Sequence, residues 1–181
     1  HCGSCCRWCV GPACAEAPSV SASRWPHARQ AYDAVSRNVP PAAVPPRLRV
    51  LFVCLGNICR SPTAEVVFRD TATRAGLTRL SVDSAGTGEW HVGNPPDWRA
   101  IEHAARRGYA LQHLRARQVD ARDFGNFDYI FALDRANLAA LTALRPAGYA
   151  GHLGLFLDGA ADAGTREVPD PYDGGPEGFE R

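Results

Sequence analysis

The sequence predicts a parallel α/β sheet of four strands with helices on both faces, and three observations carry that expectation. From Leu48 onward, short apolar and β-branched runs alternate with helical segments. The helical segments are punctuated, Ser61-Pro62 opening the first and Gly76 and Gly108 standing behind the first two. Strands separated by helices connect through right-handed crossovers, which leaves neighbouring strands parallel.

Each element follows in order. Leu48-Arg49-Val50-Leu51-Phe52-Val53 reads as a buried strand, and a short loop carrying Gly56 and Asn57 follows it. Ser61 as N-cap and Pro62 as first helical residue then open a helix with Ala64, Val67, Phe68 and Ala75 on one face, stopped by Gly76. A strand over 80–83, a helix over 97–107 closed by Gly108, a strand over 127–133, a helix over 134–144 and a strand over 152–157 complete the alternation. In such sheets the site lies beyond the carboxyl ends of the strands, and the loop from Cys54 to Arg60 sits at one.

Composition narrows the chemistry. The chain has 181 residues, 20 Lys+Arg against 19 Asp+Glu and 45% hydrophobic residues, the profile of one folded domain with some excess length. A net charge of +1 offers no footprint for nucleic acid, and the longest apolar stretch, Val50 to Leu55, is too short to span a bilayer, so neither is expected as a partner. Every basic residue is arginine, which excludes a Walker-type phosphate loop, a Schiff-base lysine and a Ser-x-x-Lys hydrolase. The chain has no Met and begins at His1, so it is expected to be a fragment of a longer reading frame.

Two regions follow from this reading. Residues 1–46 are rich in Ala, Ser, Pro and Cys, show no sustained period and are expected to be a disordered extension of the domain over 47–181. Arg7, Arg24, Arg29 and Arg37 against Glu16 and Asp33 give the extension a slight likeness to an organellar transit peptide, the alternative to a cytoplasmic location. Cys2-x2-Cys5 and Cys6-x2-Cys9 have zinc-like spacing but overlap too closely to form the two halves of a four-cysteine site, so no metal is expected.

The loop Cys54-Leu55-Gly56-Asn57-Ile58-Cys59-Arg60-Ser61-Pro62 carries the chemistry. Of the seven cysteines only Cys54 is followed, after five residues, by arginine, and it lies between a buried strand and a helix. Consecutive loop N–H groups form a nest for an anion the size of phosphate, and the helix that follows adds its positive end. The planar fork of Arg60 can hold two oxygens of that anion at once. A thiolate of Cys54 under the bound phosphorus is placed for in-line attack, and the Ser61 hydroxyl can donate to that sulfur when it leaves. Read without its context, Cys54 is a buried strand-end cysteine and Arg60 a surface residue.

With its flanks, this segment resembles the phosphate-binding loop of the low-molecular-weight protein-tyrosine phosphatases. Ser84-Ala85-Gly86-Thr87, Trp90-His91, Asp97-x-Arg99-Ala100, Arg115-Ala116-Arg117-Gln118, Leu133-Asp134-x-x-Asn137 and Asp170-Pro171-Tyr172 agree with that family over about 48–181. The resemblance implies hydrolysis of phosphotyrosine in proteins and of small aryl phosphates through a phosphocysteine, with no cofactor. It implies that Leu55, Gly56, Asn57, Ile58, Cys59 and Ser61 bind substrate beside the catalytic Cys54 and Arg60, and that Asp170 is the acid that protonates the leaving phenolate and then the base for water. Taken alone, Asp170 is a turn aspartate before proline. Trp90 and Tyr172 are the aromatic walls of the pocket in this reading, although aromatics are more often core. His113 resembles the family histidine that braces the loop, at a spacing one residue longer. Cys59 is either a partner for a sulfenic acid on Cys54, giving reversible redox control, or a small buried residue.

Three rivals remain. A thiol-dependent arsenate reductase needs relay cysteines downstream, and none follows Cys59. A protein-arginine phosphatase of this superfamily carries a small Thr where Ile58 stands, so the bulkier Ile58 favours phosphotyrosine. The family continues into a final helix that packs on the sheet, whereas this sequence stops at Arg181; the domain is therefore expected to lack that helix, and an inactive phosphate-binding remnant is the non-enzyme alternative.

Overall fold

Seven residues, Leu48–Cys54, form strand β1, and its last five are buried because strands flank it on both sides. The computed structural model describes residues 47–160, 164–175 and 177–180; the expected extension over 1–46, with its cysteine pairs and transit-peptide likeness, lies outside the described residues. The elements run β1, α1 (Arg60–Arg74), β2 (Leu80–Gly86), α2 (Trp98–Arg106), α3 (Asp123–Asn126), β3 (Tyr129–Ala132), α4 (Arg135–Leu144), β4 (His152–Leu155) and α5 (Glu177–Glu180). The four strands lie in the order β2-β1-β3-β4, and every pairing is parallel, as the alternation predicts.

Burial of β1 on both faces explains its near-continuous apolar run. Leu51 and Val53 face a core shared with Ile130, Ala132, Leu141 and Leu155. Val50, Phe52 and Cys54 face the opposite way, towards α1, with Phe68, Phe131 and Phe156. Phe52 meets those three rings at centroid distances of 5.3, 5.9 and 5.1 Å. The two-residue period of β1 therefore delivers Cys54 at its carboxyl end on the α1 side.

Several boundaries differ from the sequence reading. β2 continues to Gly86 because Phe52, Val53 and Cys54 pair with Ser84, Ala85 and Gly86. β4 ends at Leu155, where a 3-10 turn over Phe156–Gly159 turns the Phe156 ring into the aromatic cluster. The turn α3 forms where no helix is expected, held by Asp123, which accepts from the Asp120 N–H at 2.9 Å. Ser61 is not the N-cap of α1: the helix starts at Arg60, Cys59 holds the cap position without a side-chain bond, and the Ser61 hydroxyl turns inward instead. The expected stripe on α1 is also broken, since Ala75 is exposed and Glu65 is buried, tied to the Ser84 hydroxyl and to Arg69. Near the end of the chain, α5 forms one turn on α2, with Phe179 stacked on His103 and Glu180 paired with His103 and Arg107. No helix among the described residues is long and apolar enough to cross a membrane.

Candidate active site

The loop from Cys54 to Arg60 is held from outside by its carbonyls. The oxygen of Cys54 accepts from Thr87 N–H at 2.9 Å, that of Leu55 from Gly88 N–H at 2.8 Å, that of Ile58 from Asp97 N–H at 2.8 Å and that of Cys59 from the Thr63 hydroxyl at 2.8 Å. In a trans peptide the N–H points opposite to the carbonyl, so the amides of Leu55, Gly56, Cys59 and Arg60 turn towards the loop interior. Gly86 lets the loop lie this close to β2. A Cβ there would stand 2.8 Å from the Leu55 oxygen and 3.1 Å from the Asn57 nitrogen, both backbone atoms.

Asn57 closes the turn in the left-handed region, at φ 55°, which Asn tolerates better than most residues. Its N–H donates to Cys54 Sγ at 3.3 Å. The carboxamide, almost fully buried, donates to the hydroxyls of Ser61 at 2.9 Å and Ser84 at 3.0 Å and accepts from the Arg117 N–H at 2.9 Å. Ser61 Oγ lies 3.0 Å from Cys54 Sγ. Asn57 and Ser61, expected among the substrate-binding residues, therefore stand behind the sulfur and brace the loop; neither lines the cavity. His113, which resembles the family histidine that braces the loop, is exposed here, and the Arg117 backbone N–H donates to the Asn57 carboxamide.

Arg60 is the hinge of the charged part of the site. Its side chain is only 5% exposed, with Nη1 donating to Asp134 Oδ2 at 2.7 Å and to the Val168 oxygen at 3.2 Å, and Nη2 donating to Asp170 Oδ2 at 2.6 Å. Asp134 is itself fixed, because its other oxygen caps α4 through the Asn137 N–H at 2.7 Å. Asp170 arrives on a loop whose Val168 N–H donates to the oxygen of Leu133, the residue after β3, at 2.8 Å. Residues 60 and 170 thus meet across 110 positions of chain.

A cavity of about 130 Å³ opens over the loop, floored by Cys54, Leu55, Gly56, Ile58, Cys59 and Arg60 and ringed by Trp90, His91, Asp170, Tyr172 and Asp173. Trp90 is 70% exposed and Tyr172 45%, which places both rings at the cavity mouth and not in the core. Asp173 lines the site and Glu65 supports it without any signal in the sequence, whereas His91 in the lining and Asp134 and Ser84 behind it lie in segments that agree with the family but carried no assigned role. Burial, then the nearby Asp97, pushes the Cys59 thiol up to about 12, so Cys59 is a neutral thiol at physiological pH.

A thiol beneath a cradle of backbone amides, with a guanidinium and a carboxylate converging on the same cavity, defines the site class of the cysteine-dependent phosphatases. Residues 49–181 match the family model described as low molecular weight phosphotyrosine protein phosphatase. The chain belongs to that family. It is 48% identical over 134 residues to the low molecular weight phosphotyrosine protein phosphatase of Schizosaccharomyces pombe, covering 73% of this chain and 85% of the relative. Among solved structures it resembles a protein tyrosine phosphatase from Entamoeba histolytica, with TM-score 0.70, 42% identity and coverage of 74% of this chain and 85% of the other. It also resembles a Drosophila arginine phosphatase, with TM-score 0.68, 34% identity and coverage of 74% and 87%.

Proposed function

We propose that this chain hydrolyses phosphotyrosine in proteins, and small aryl phosphates, by two successive phosphoryl transfers through Cys54. The convergence of Cys54, Arg60 and Asp170 on one cavity is the observation that carries the reading. The phosphate dianion sits on the loop amides, and the guanidinium of Arg60 exchanges its contact with Asp170 for two phosphoryl oxygens. The Cys54 thiolate forms the S–P bond as the bond from phosphorus to the tyrosyl oxygen breaks, and Asp170 gives its proton to the departing phenolate. Asp170, now a carboxylate, takes a proton from water; the water oxygen bonds to phosphorus, the S–P bond breaks, and the sulfur leaves as a thiolate that accepts from Ser61. Trp90 and Tyr172 hold the substrate ring above the loop.

Ile58 on the cavity floor supports an aryl substrate over phosphoarginine, which would bring a second charged guanidinium against an apolar side chain. The chemistry needs a reduced Cys54, which fits cytoplasmic residence, and reversible capture of an oxidised Cys54 by Cys59 fits the same reading. The test compares kcat/KM for phosphotyrosine peptides, p-nitrophenyl phosphate and phosphoarginine peptides. Preference for the aryl esters is expected; preference for phosphoarginine would move the chain to the second activity.

A further inference from the structure

We propose that Arg99 is a positioning residue that straps the acid-bearing loop to the phosphate loop and so keeps Asp170 over the leaving oxygen, an inference that rests on the hydrolytic reading above. Arg99 lies in the first turn of α2 and does not line the cavity. Asp97 fixes its guanidinium in plane, accepting from Nε at 3.0 Å and from Nη2 at 2.9 Å, and also accepts from the Arg99 backbone N–H at 2.8 Å as the cap of α2. That same Asp97 donates its own N–H to the Ile58 oxygen of the phosphate loop.

The remaining arm of the fork crosses to the other loop. Nη1 donates to the Tyr172 oxygen at 3.1 Å, and the guanidinium carbon lies 5.4 Å from the Tyr172 ring centroid and 5.0 Å from that of Phe179. Tyr172 in turn donates its N–H to Asp170 Oδ1 at 3.1 Å. A continuous line of directed contacts therefore runs from Ile58 through Asp97, Arg99 and Tyr172 to Asp170. Among the described residues, Arg99 is the only side chain outside residues 171–175 that donates to them.

This matters at the moment of binding. In the free site Asp170 is also gripped by Arg60, but a phosphate dianion takes that guanidinium. Arg99 then remains as the side-chain tie on the far side of Asp170 from the Val168 N–H bond to the Leu133 oxygen, because Asp97 neutralises it and it does not line the cavity. A lysine there could reach either Asp97 or the Tyr172 oxygen, but it has no planar fork to hold both.

The test measures kcat for a series of aryl phosphates of rising leaving-group pKa, the inhibition constant of inorganic phosphate and the thermal midpoint, for the full chain and its Arg99→Ala and Arg99→Lys variants. With Arg99→Ala, kcat should fall about 10-fold or more for phenyl phosphate and only about 2-fold for p-nitrophenyl phosphate, since a stable phenolate needs little protonation. Phosphate inhibition should stay within about 2-fold, because the loop amides and Arg60 are untouched, and Arg99→Lys should recover part of the loss. Equal slowing across the series, unchanged rates, or loss of phosphate binding together with turnover would overturn the proposal, and so would failure of both variants to fold, which would make Arg99 a structural residue. Failure of the parent chain to hydrolyse any aryl phosphate, by contrast, would overturn the hydrolytic reading itself.

Discussion

Asn57→Ala should be among the most damaging single changes to this domain, although Asn57 does not line the cavity. The truncation removes the bonds from the carboxamide to Ser61 and Ser84 and the one it accepts from Arg117. Ser61 keeps the Ala85 oxygen and Ser84 keeps Glu65, so those two losses are worth about 1 kcal/mol each. The Arg117 N–H keeps no partner at that spot, which costs about 1–3 kcal/mol. Alanine at a φ of 55° adds about 1 kcal/mol. The sum, about 4–6 kcal/mol, corresponds to a fall of roughly 15 °C in thermal midpoint for a domain of this size. Asn57→Gly, which relieves the backbone but not the lost bonds, should recover about 1 kcal/mol at most. Differential scanning calorimetry and phosphate inhibition of both variants read the effect. A midpoint within about 2 °C of the parent, with phosphate binding intact, would refute the view that the buried carboxamide holds the loop.

Four further outcomes follow from the same geometry. Cys54→Ser should lose turnover by about a thousand-fold or more while binding phosphate within about 3-fold by calorimetric titration, since the amide cradle remains. Arg60→Lys should cost about a hundred-fold in kcat/KM, because one ammonium cannot replace a fork that meets Asp134 and Asp170 and must also grip two oxygens; steady-state kinetics decide it. Asp170→Asn should slow phenyl phosphate far more than p-nitrophenyl phosphate, and a uniform slowing would show that Asp170 only shapes its loop. The thiol of Cys59 is raised in the folded state, so its contribution to stability is complete below the ordinary thiol value of 9.0 and is lost as pH rises towards about 12; Cys59→Ala should flatten the alkaline fall in denaturation midpoint.

Most of the fold was legible because its signals are local. A strand buried on both faces must read as a continuous apolar run, and Val50 to Cys54 does. The pairing of Cys54 with Arg60 was legible for the same reason, both lying on one strand-loop-helix unit. What the sequence hid is long-range. Asp134 and Asp170 reach Arg60 from 74 and 110 residues away and nothing local in either marks the partner, so Asp170 is legible only through the family resemblance and the Asp134 contact not at all. Ser61 before Pro62 carries the local signature of a helix cap, yet three buried neighbours, Cys54, Asn57 and Ala85, claim its hydroxyl. His113 enters only through the family resemblance, at a spacing one residue longer, whereas the donor to Asn57 is the backbone N–H of Arg117, which no side-chain pattern reveals.

The central claim is that phosphate passes through the sulfur of Cys54. Mass spectrometry of the full chain, acid-quenched during turnover of a phosphotyrosine peptide and then mapped by peptide, tests it directly, with Cys54→Ser as the control. The account predicts one phosphoryl group on Cys54 and none in the Cys54→Ser chain. Steady turnover with no phosphoenzyme in any quench, or a phosphoryl group on a different residue that persists in Cys54→Ser, would contradict it.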